Sequence, residues 1–201
     1  MWALVEDNAI TKIINNPKAM VIGDTRHSKN IFSFRWTNEE REAIGIYEVV
    51  FDNSNKKDEE YYINTNQSFD YADGQVTASY GSATAKELDD RNATDDDGEE
   101  LDPVVVIEGL KTKHKKVIKK QASGLLAPTD WHVIKATDVA EYSVPSAIAT
   151  FRTNVRTRSN EMETAIDNAS DVDALKALYE YTEQADGSRT RPLGEWPVLE
   201  V

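Results

Sequence analysis

The sequence predicts an α+β protein: an N-terminal antiparallel β domain over residues 1–85, an acidic linker over 86–103, and a mainly helical domain with an extended C-terminal tail over 104–201. Three observations carry this reading. The first half holds short apolar runs broken by Asn, Asp and Gly. The second half repeats apolar residues every three or four positions. Between them, Lys86 to Pro103 contains nine acids, two basic residues and no aromatic side chain, too little apolar surface to offset the entropy of ordering.

Trp2 to Val5 and Ile10 to Ile14 flank Asp7-Asn8, residues that tolerate the positive φ of a tight hairpin turn. Met20-Val21-Ile22 ends at Gly23-Asp24. Thr37 and Glu40 form a capping-box pattern for a short helix over 38–43. Gly45 interrupts it, and Ile46 to Phe51 reads as a buried strand. The clearest hairpin pairs Phe69 and Tyr71 with Val76, Ala78 and Tyr80 across Asp73-Gly74, a dipeptide suited to a two-residue turn because both positions need φ > 0.

In the second half, Val104 to Ile107 reads as a short strand. Val117, Ile118, Ala122, Leu125 and Leu126 make a helical stripe from about Lys111, weakened at Gly124 and stopped by Pro128. Val144 or Pro145 opens a long helix with the stripe Ile148, Phe151, Val155, Met162 and Ile166; the interval Arg156 to Ser159 interrupts that spacing. Ser170 and Asp173 form a second capping-box pattern before Leu175, Leu178 and Tyr179. Asp186-Gly187 ends that unit, and residues 191–201 form the tail.

Composition narrows the function. A net charge of −13, from 36 acidic and 23 basic residues, repels phosphate and argues against general nucleic-acid binding. The chain has no cysteine, which removes disulfide and thiolate chemistry. No apolar run reaches the ~18 residues of a membrane span. The N-terminus lacks the basic and apolar regions of a secretory signal, so synthesis and assembly in a cytoplasm are expected.

Each motif that suggests chemistry has an ordinary reading that fits better. Placing Gly98 at the sixth position of a calcium loop leaves Ala93 and Val104 at the anchoring positions, where acids are needed; a solvated linker fits better. His27, His114 and His132 have no partner at metal-ligand spacing and read as surface or loop residues. Ser123-Gly124 lacks the flanking glycines of a nucleophile elbow, and no phosphate-cradling glycine loop is present. The expectation is therefore no catalytic, cofactor-binding or metal site. The six lysines of Lys111 to Lys120 read as a solvated helix face facing the acidic run. Trp131 is expected to close a small helical core. Leu193, Trp196 and Pro197, in an extended Pro-containing tail, are the expected interface residues, since Trp dominates interface hot spots.

A resemblance adds context. The run Leu125-Leu126-Ala127-Pro128-Thr129-Asp130-Trp131, a following helix with Phe151-Arg152, and a terminal Trp196-Pro197 resemble the C-terminal region of tail-fibre assembly proteins of tailed bacteriophages. Ile13-Ile14-Asn15-Asn16-Pro17-Lys18 and Ile44 to Val50 are similar to structural proteins of marine phages. The resemblance implies a non-enzymatic virion structural protein at the tail or its fibres, acting by protein–protein binding. Its implied partners are other phage virion proteins and further copies of itself as a homo-oligomer, with neither nucleic acid nor membrane. The alternative it implies is a tail-fibre assembly chaperone; a wall-degrading enzyme is a third class.

Overall fold

The computed structural model describes residues 1–200, and the chain divides into two units between Thr84 and Ala85. Strands dominate the first unit and helices the second, an α+β protein.

The first unit begins with β1 (Trp2–Glu6) and β2 (Ala9–Ile14), joined at Asp7 and Asn8 with φ of 50° and 60°. A small hairpin, β3 (Met20–Ile22) and β4 (Thr25–His27), turns at Gly23-Asp24. After it come a 3₁₀ turn (Lys29–Phe32), the short helix α1 (Asn38–Glu42) and β5 (Ile46–Asp52). Thr37 caps α1 as expected: Thr37 Oγ1 accepts from Glu40 N–H at 3.2 Å, and Glu40 Oε2 accepts from Thr37 N–H at 2.8 Å. A short β6 (Tyr62–Ile63) precedes β7 (Ser68–Ala72) and β8 (Gln75–Ser79), which turn at Asp73 and Gly74, both with positive φ. The two-residue strand β9 (Thr84–Ala85) pairs with β6.

The main sheet runs β2-β1-β5-β8-β7. The expected all-antiparallel arrangement is altered at one place, because β5 and β8 pair in parallel. The long connection after Asp52 brings β7 back two strand positions from β5, and β8 fills the gap between them. Nor is β5 buried along its whole length: Ile46 and Val49 are covered, while Val50 and Phe51 are each 45% exposed.

Strand alternation sends side chains to two cores. On one face Ala3, Val5, Val49, Val76 and Ala78 pack together. Ile10 and Ile13 from one edge strand and Phe69 and Tyr71 from the other reach the same cluster, so the sheet curls around it. On the other face Leu4, Ile14, Ile31 and Ile46 pack with Trp2, Phe32 and Trp36. Arg41 pins that cover: it is buried, donating from Nε to Ile31 O (2.8 Å), from Nη1 to Asn38 Oδ1 (2.9 Å) and from Nη2 to Ser33 O (2.6 Å). Gly45, at φ 81°, ends the α1 segment; a Cβ there would stand 2.6 Å from Val5 O, so only glycine lets the chain pass β1 this closely.

The second unit opens with the acidic stretch, which is not an unstructured linker. It forms the hairpin of β10 (Arg91–Asn92) and β11 (Val106–Ile107), with a bridge between Thr94 and Glu100. It also closes the start of α2 (Leu110–Leu126), whose own cap residue, Gly109, has no side chain to offer. Glu87 O accepts from Leu110 N–H (3.0 Å), Leu88 O from Lys111 N–H (2.9 Å), and Asp90 Oδ1 from Gly109 N–H (2.8 Å). Orphan N–H groups and the positive end of a helix dipole are the natural partners of carbonyls and acids. Thus backbone pairing, rather than apolar burial, orders this run. Asp90 is held below the ordinary carboxyl range by the Gly109 N–H and then the Thr112 hydroxyl.

Leu110, His114, Ile118 and Ala122 form the buried face of α2, one residue per turn, while Val117 is 48% exposed. His114 is therefore a core residue and not a surface one: its Nδ1 lies 2.6 Å from the Tyr179 hydroxyl. After a 3₁₀ turn (Ala127–Thr129) come α3 (Asp130–Asp138) and the long α4 (Ser146–Asp167). The α4 stripe is continuous, since Ser159 is buried between Val155 and Met162. Pairs Lys115–Asp167 (2.7 Å) and Lys119–Glu163 (3.3 Å) descend α4 as they climb α2, so the two helices are antiparallel. Lys111 pairs with Asp89 at 3.2 Å and Lys116 with Glu108. The helix α5 (Val172–Ala177) is capped one residue from the expected position: Asp171 Oδ1 accepts from Ala174 N–H at 2.7 Å, and Ser170 instead bonds Asp171. A hairpin of β12 (Thr182–Glu183) and β13 (Arg189–Thr190) leads to the tail. Val155, Met162, Ile166, Leu175 and Leu193 are fully covered, each contributing about 1.5–3 kcal/mol of burial.

Candidate functional site

Three expected interface residues lie in the tail, and the structure places them against the unit's own helices. Leu193 is fully buried, and its N–H donates to Leu178 O at 3.0 Å. Trp196 is half-buried on the cluster of Ala122, Phe151 and Val155, its Nε1–H donating to Gln121 Oε1 at 3.2 Å. Pro197 is half-buried as well. Arg158 of α4 ties the tail down, donating from Nε to Glu195 O (2.9 Å) and from Nη2 to Pro192 O (2.8 Å). The tail thus closes the helical core.

The other tryptophan of this unit stands outside. Trp131 is 53% exposed, so it does not close a core. It sits on α3, a nine-residue helix with no buried residue at all. Val133, Ile134 and Val139 beside it are 42%, 61% and 43% exposed. A surface helix normally buries one stripe; this one leaves its large apolar side chains facing solvent.

The residues before α3 explain why it is held there. Pro128 breaks the α2 pattern, and the chain tightens into the 3₁₀ turn. Thr129 Oγ1 donates to Leu126 O at 2.7 Å. Arg152 then reaches across from α4, nearly buried, with Nη1 donating to Leu126 O (3.0 Å) and Thr129 Oγ1 (2.6 Å), and pairing with Asp130 Oδ1 (2.8 Å). One guanidinium therefore satisfies the last carbonyl of α2, the turn hydroxyl and the first acid of α3. Asp130 at the α3 N-terminus also suits that helix's dipole. The corner aims Trp131 outward.

Around Trp131 the rings form a platform. The Trp131 and His132 rings stack with centroids 3.6 Å apart, and the Tyr142 ring lies 6.4 Å from Trp131. His132 Nδ1 is hydrogen-bonded to the Tyr142 hydroxyl. Lys135 Nζ stands 4.4 Å from the Tyr142 ring centroid and 5.9 Å from that of Trp131, within cation–π range. The arrangement leaves an aromatic surface, one cation and flanking aliphatic groups open to solvent.

The sequence gives no sign of α3, and Trp131, expected to close a core, is exposed, while Trp196, expected at an interface, packs against its own unit's helices. The available signal was the Thr129-Asp130 pair with Arg152, three residues able to form one buried network. Among the described residues, no group of three or more His, Asp or Glu converges as metal ligands, and no helix is long and apolar enough to cross a membrane. Comparisons with protein-family models, with curated proteins and with solved structures find no match to this chain.

Proposed function

We infer that this chain is a non-enzymatic structural component of a tailed-bacteriophage particle, placed at the tail or its fibres and working by protein–protein binding. The observation that carries the binding role is the exposure of Trp131, Val133 and Ile134 on α3, a helix that buries nothing, and of Val139 just after it. Exposed apolar groups clustered around an aromatic anchor mark association surfaces. The phage context rests on the short motifs at Ile13 to Lys18, Ile44 to Val50, Leu125 to Trp131 and Phe151-Arg152. Its partners on this reading are other virion proteins and further copies of itself. The net charge of −13 opposes phosphate-backbone binding.

A second reading, a tail-fibre assembly chaperone, is favoured by one observation. Leu126, Thr129, Asp130 and Arg152, all within the motifs similar to assembly proteins, converge on a single network that presents Trp131. Quantitative mass spectrometry of purified particles separates the two. A fixed copy number per particle supports the structural role. Absence from particles, together with fibre-maturation defects when the gene is lost, supports the chaperone. Turnover of cell-wall glycan or peptide by the isolated chain would overturn both.

A further inference from the structure

We propose that the outer edge of β11 is a self-pairing site, where two copies of this chain join antiparallel strands about a two-fold axis. Val104, Val105, Val106 and Ile107 are 57%, 48%, 54% and 41% exposed. In a covered strand alternate residues would be buried; here both residues of β11 and the two before it are open, so neither face of this segment packs on a core. On its inner side β11 is occupied by β10: Asn92 faces Val106, and Val105 O accepts from Ala93 N–H at 2.7 Å. The two strands form a sheet of their own, so among the described residues no strand pairs with the other edge of β11. Proteins usually blunt such edges by shortness, charge, a bulge or a proline; β11 is short and has Pro103 and Glu108 near its ends, but residues 104–107 themselves carry no charge, bulge or proline.

The charge pattern around the strand selects the occupant and its direction. The N-terminal end of β11 adjoins the hairpin tip, where Asp95, Asp96, Asp97, Glu99, Glu100 and Asp102 lie with no basic residue among positions 93–103. The C-terminal end leads through Glu108 and Gly109 into α2, whose first turns carry Lys111, Lys113, Lys115 and Lys116; Lys111, Lys115 and Lys116 already pair with Asp89, Asp167 and Glu108 of the same chain, so the attraction they add across a dimer is reduced. A second copy added in parallel would set acidic tip beside acidic tip. Added antiparallel, it sets the acidic tip of each copy beside the lysine-rich helix start of the other, twice by symmetry. An isologous two-fold contact of this kind closes on itself and ends at a dimer. Opposed residues in an antiparallel pair share the same orientation toward the partner strand, so the axis passes through Val105 or Val106, each facing its own copy.

Sedimentation velocity of the full chain tests this. The wild type should form a dimer in a concentration-dependent way, and Val106→Lys should abolish it while leaving the thermal midpoint of the monomer unchanged, because that side chain is half-exposed. Asp96→Lys with Asp97→Lys should weaken dimerisation by about fivefold or more, although it lowers the net negative charge. Because the chain has no cysteine, Val105→Cys or Val106→Cys should cross-link on oxidation, whereas Val198→Cys, at an 82% exposed position, should not. A wild type that stays monomeric, a dimer that survives Val106→Lys, or charge swaps that strengthen association would each overturn the proposal.

Discussion

Replacing Arg152 with leucine should destabilise the helical unit by about 3 kcal/mol, a figure built from charged hydrogen bonds that contribute about 1.5–3 kcal/mol each. Arg152 is 8% exposed, and its guanidinium serves Leu126 O, Thr129 Oγ1 and Asp130 Oδ1. These bonds share one nitrogen and do not add. Two features lower the sum. Thr129 keeps its own bond to Leu126 O, so neither group is wholly orphaned. The Asp130 side chain is 54% exposed, so water replaces most of that ion pair. Leucine retains part of the packing of the arginine stem. Far-ultraviolet circular dichroism reads this unit almost alone, because among the described residues the first unit's only α-helix is the five-residue α1. A loss of about 3 kcal/mol should lower its melting midpoint by roughly 10 °C. Arg152→Lys, which keeps the charge without the fork, should fall between. An Arg152→Leu variant melting within about 2 °C of wild type would refute the clamp.

Two further outcomes follow from the same geometry. Trp196→Ala should destabilise the isolated chain by about 2 kcal/mol, roughly half the cost of deleting a fully buried tryptophan, and chemical denaturation checks it; an unchanged midpoint would return the tail to the role of an interface. In the first unit, the Tyr47 and Tyr71 hydroxyls share a 3.0 Å hydrogen bond, and that bond, reinforced by burial, pushes Tyr47 from 10.0 up to about 12. Its folded state thus holds the proton more tightly than its unfolded state, so this stabilisation is complete below pH 10 and disappears as pH rises toward about 12. Phenolate absorbance should show a late-titrating component from Tyr47 that Tyr71→Phe brings back toward the normal range.

How much of this was legible in the sequence depends on whether a signal is local. The turns at Asp7-Asn8 and Asp73-Gly74 were readable because positive φ restricts residue choice within two positions. The Thr37–Glu40 box and the α4 stripe are equally local. The parallel pairing of β5 with β8 was not, since strand direction depends on where a long connection returns the chain. The acidic stretch misled because its order comes from carbonyls and Asp90 meeting the α2 terminus, an arrangement without apolar periodicity. The site was the least legible part. Helix α3 buries no residue, so no stripe marks it. Arg152 finds Thr129 and Leu126 at sequence separations of 23 and 26. Trp131 and Trp196 differ only in what surrounds them after folding.

On the proposed function, the apolar side chains that α3 leaves exposed bind a neighbouring protein, with Trp131 as the anchor. Particles assembled with Trp131→Ala in place of the wild-type chain test it most directly, with copies per particle counted by mass spectrometry and the isolated variant melted in parallel. The isolated variant should melt within about 2 °C of wild type, because the side chain is 53% exposed. The chain should also be lost from particles by at least roughly tenfold, the scale of a lost hot-spot tryptophan at about 2 kcal/mol or more. Incorporation at the wild-type level, or a loss matched by collapse of the fold, would contradict it.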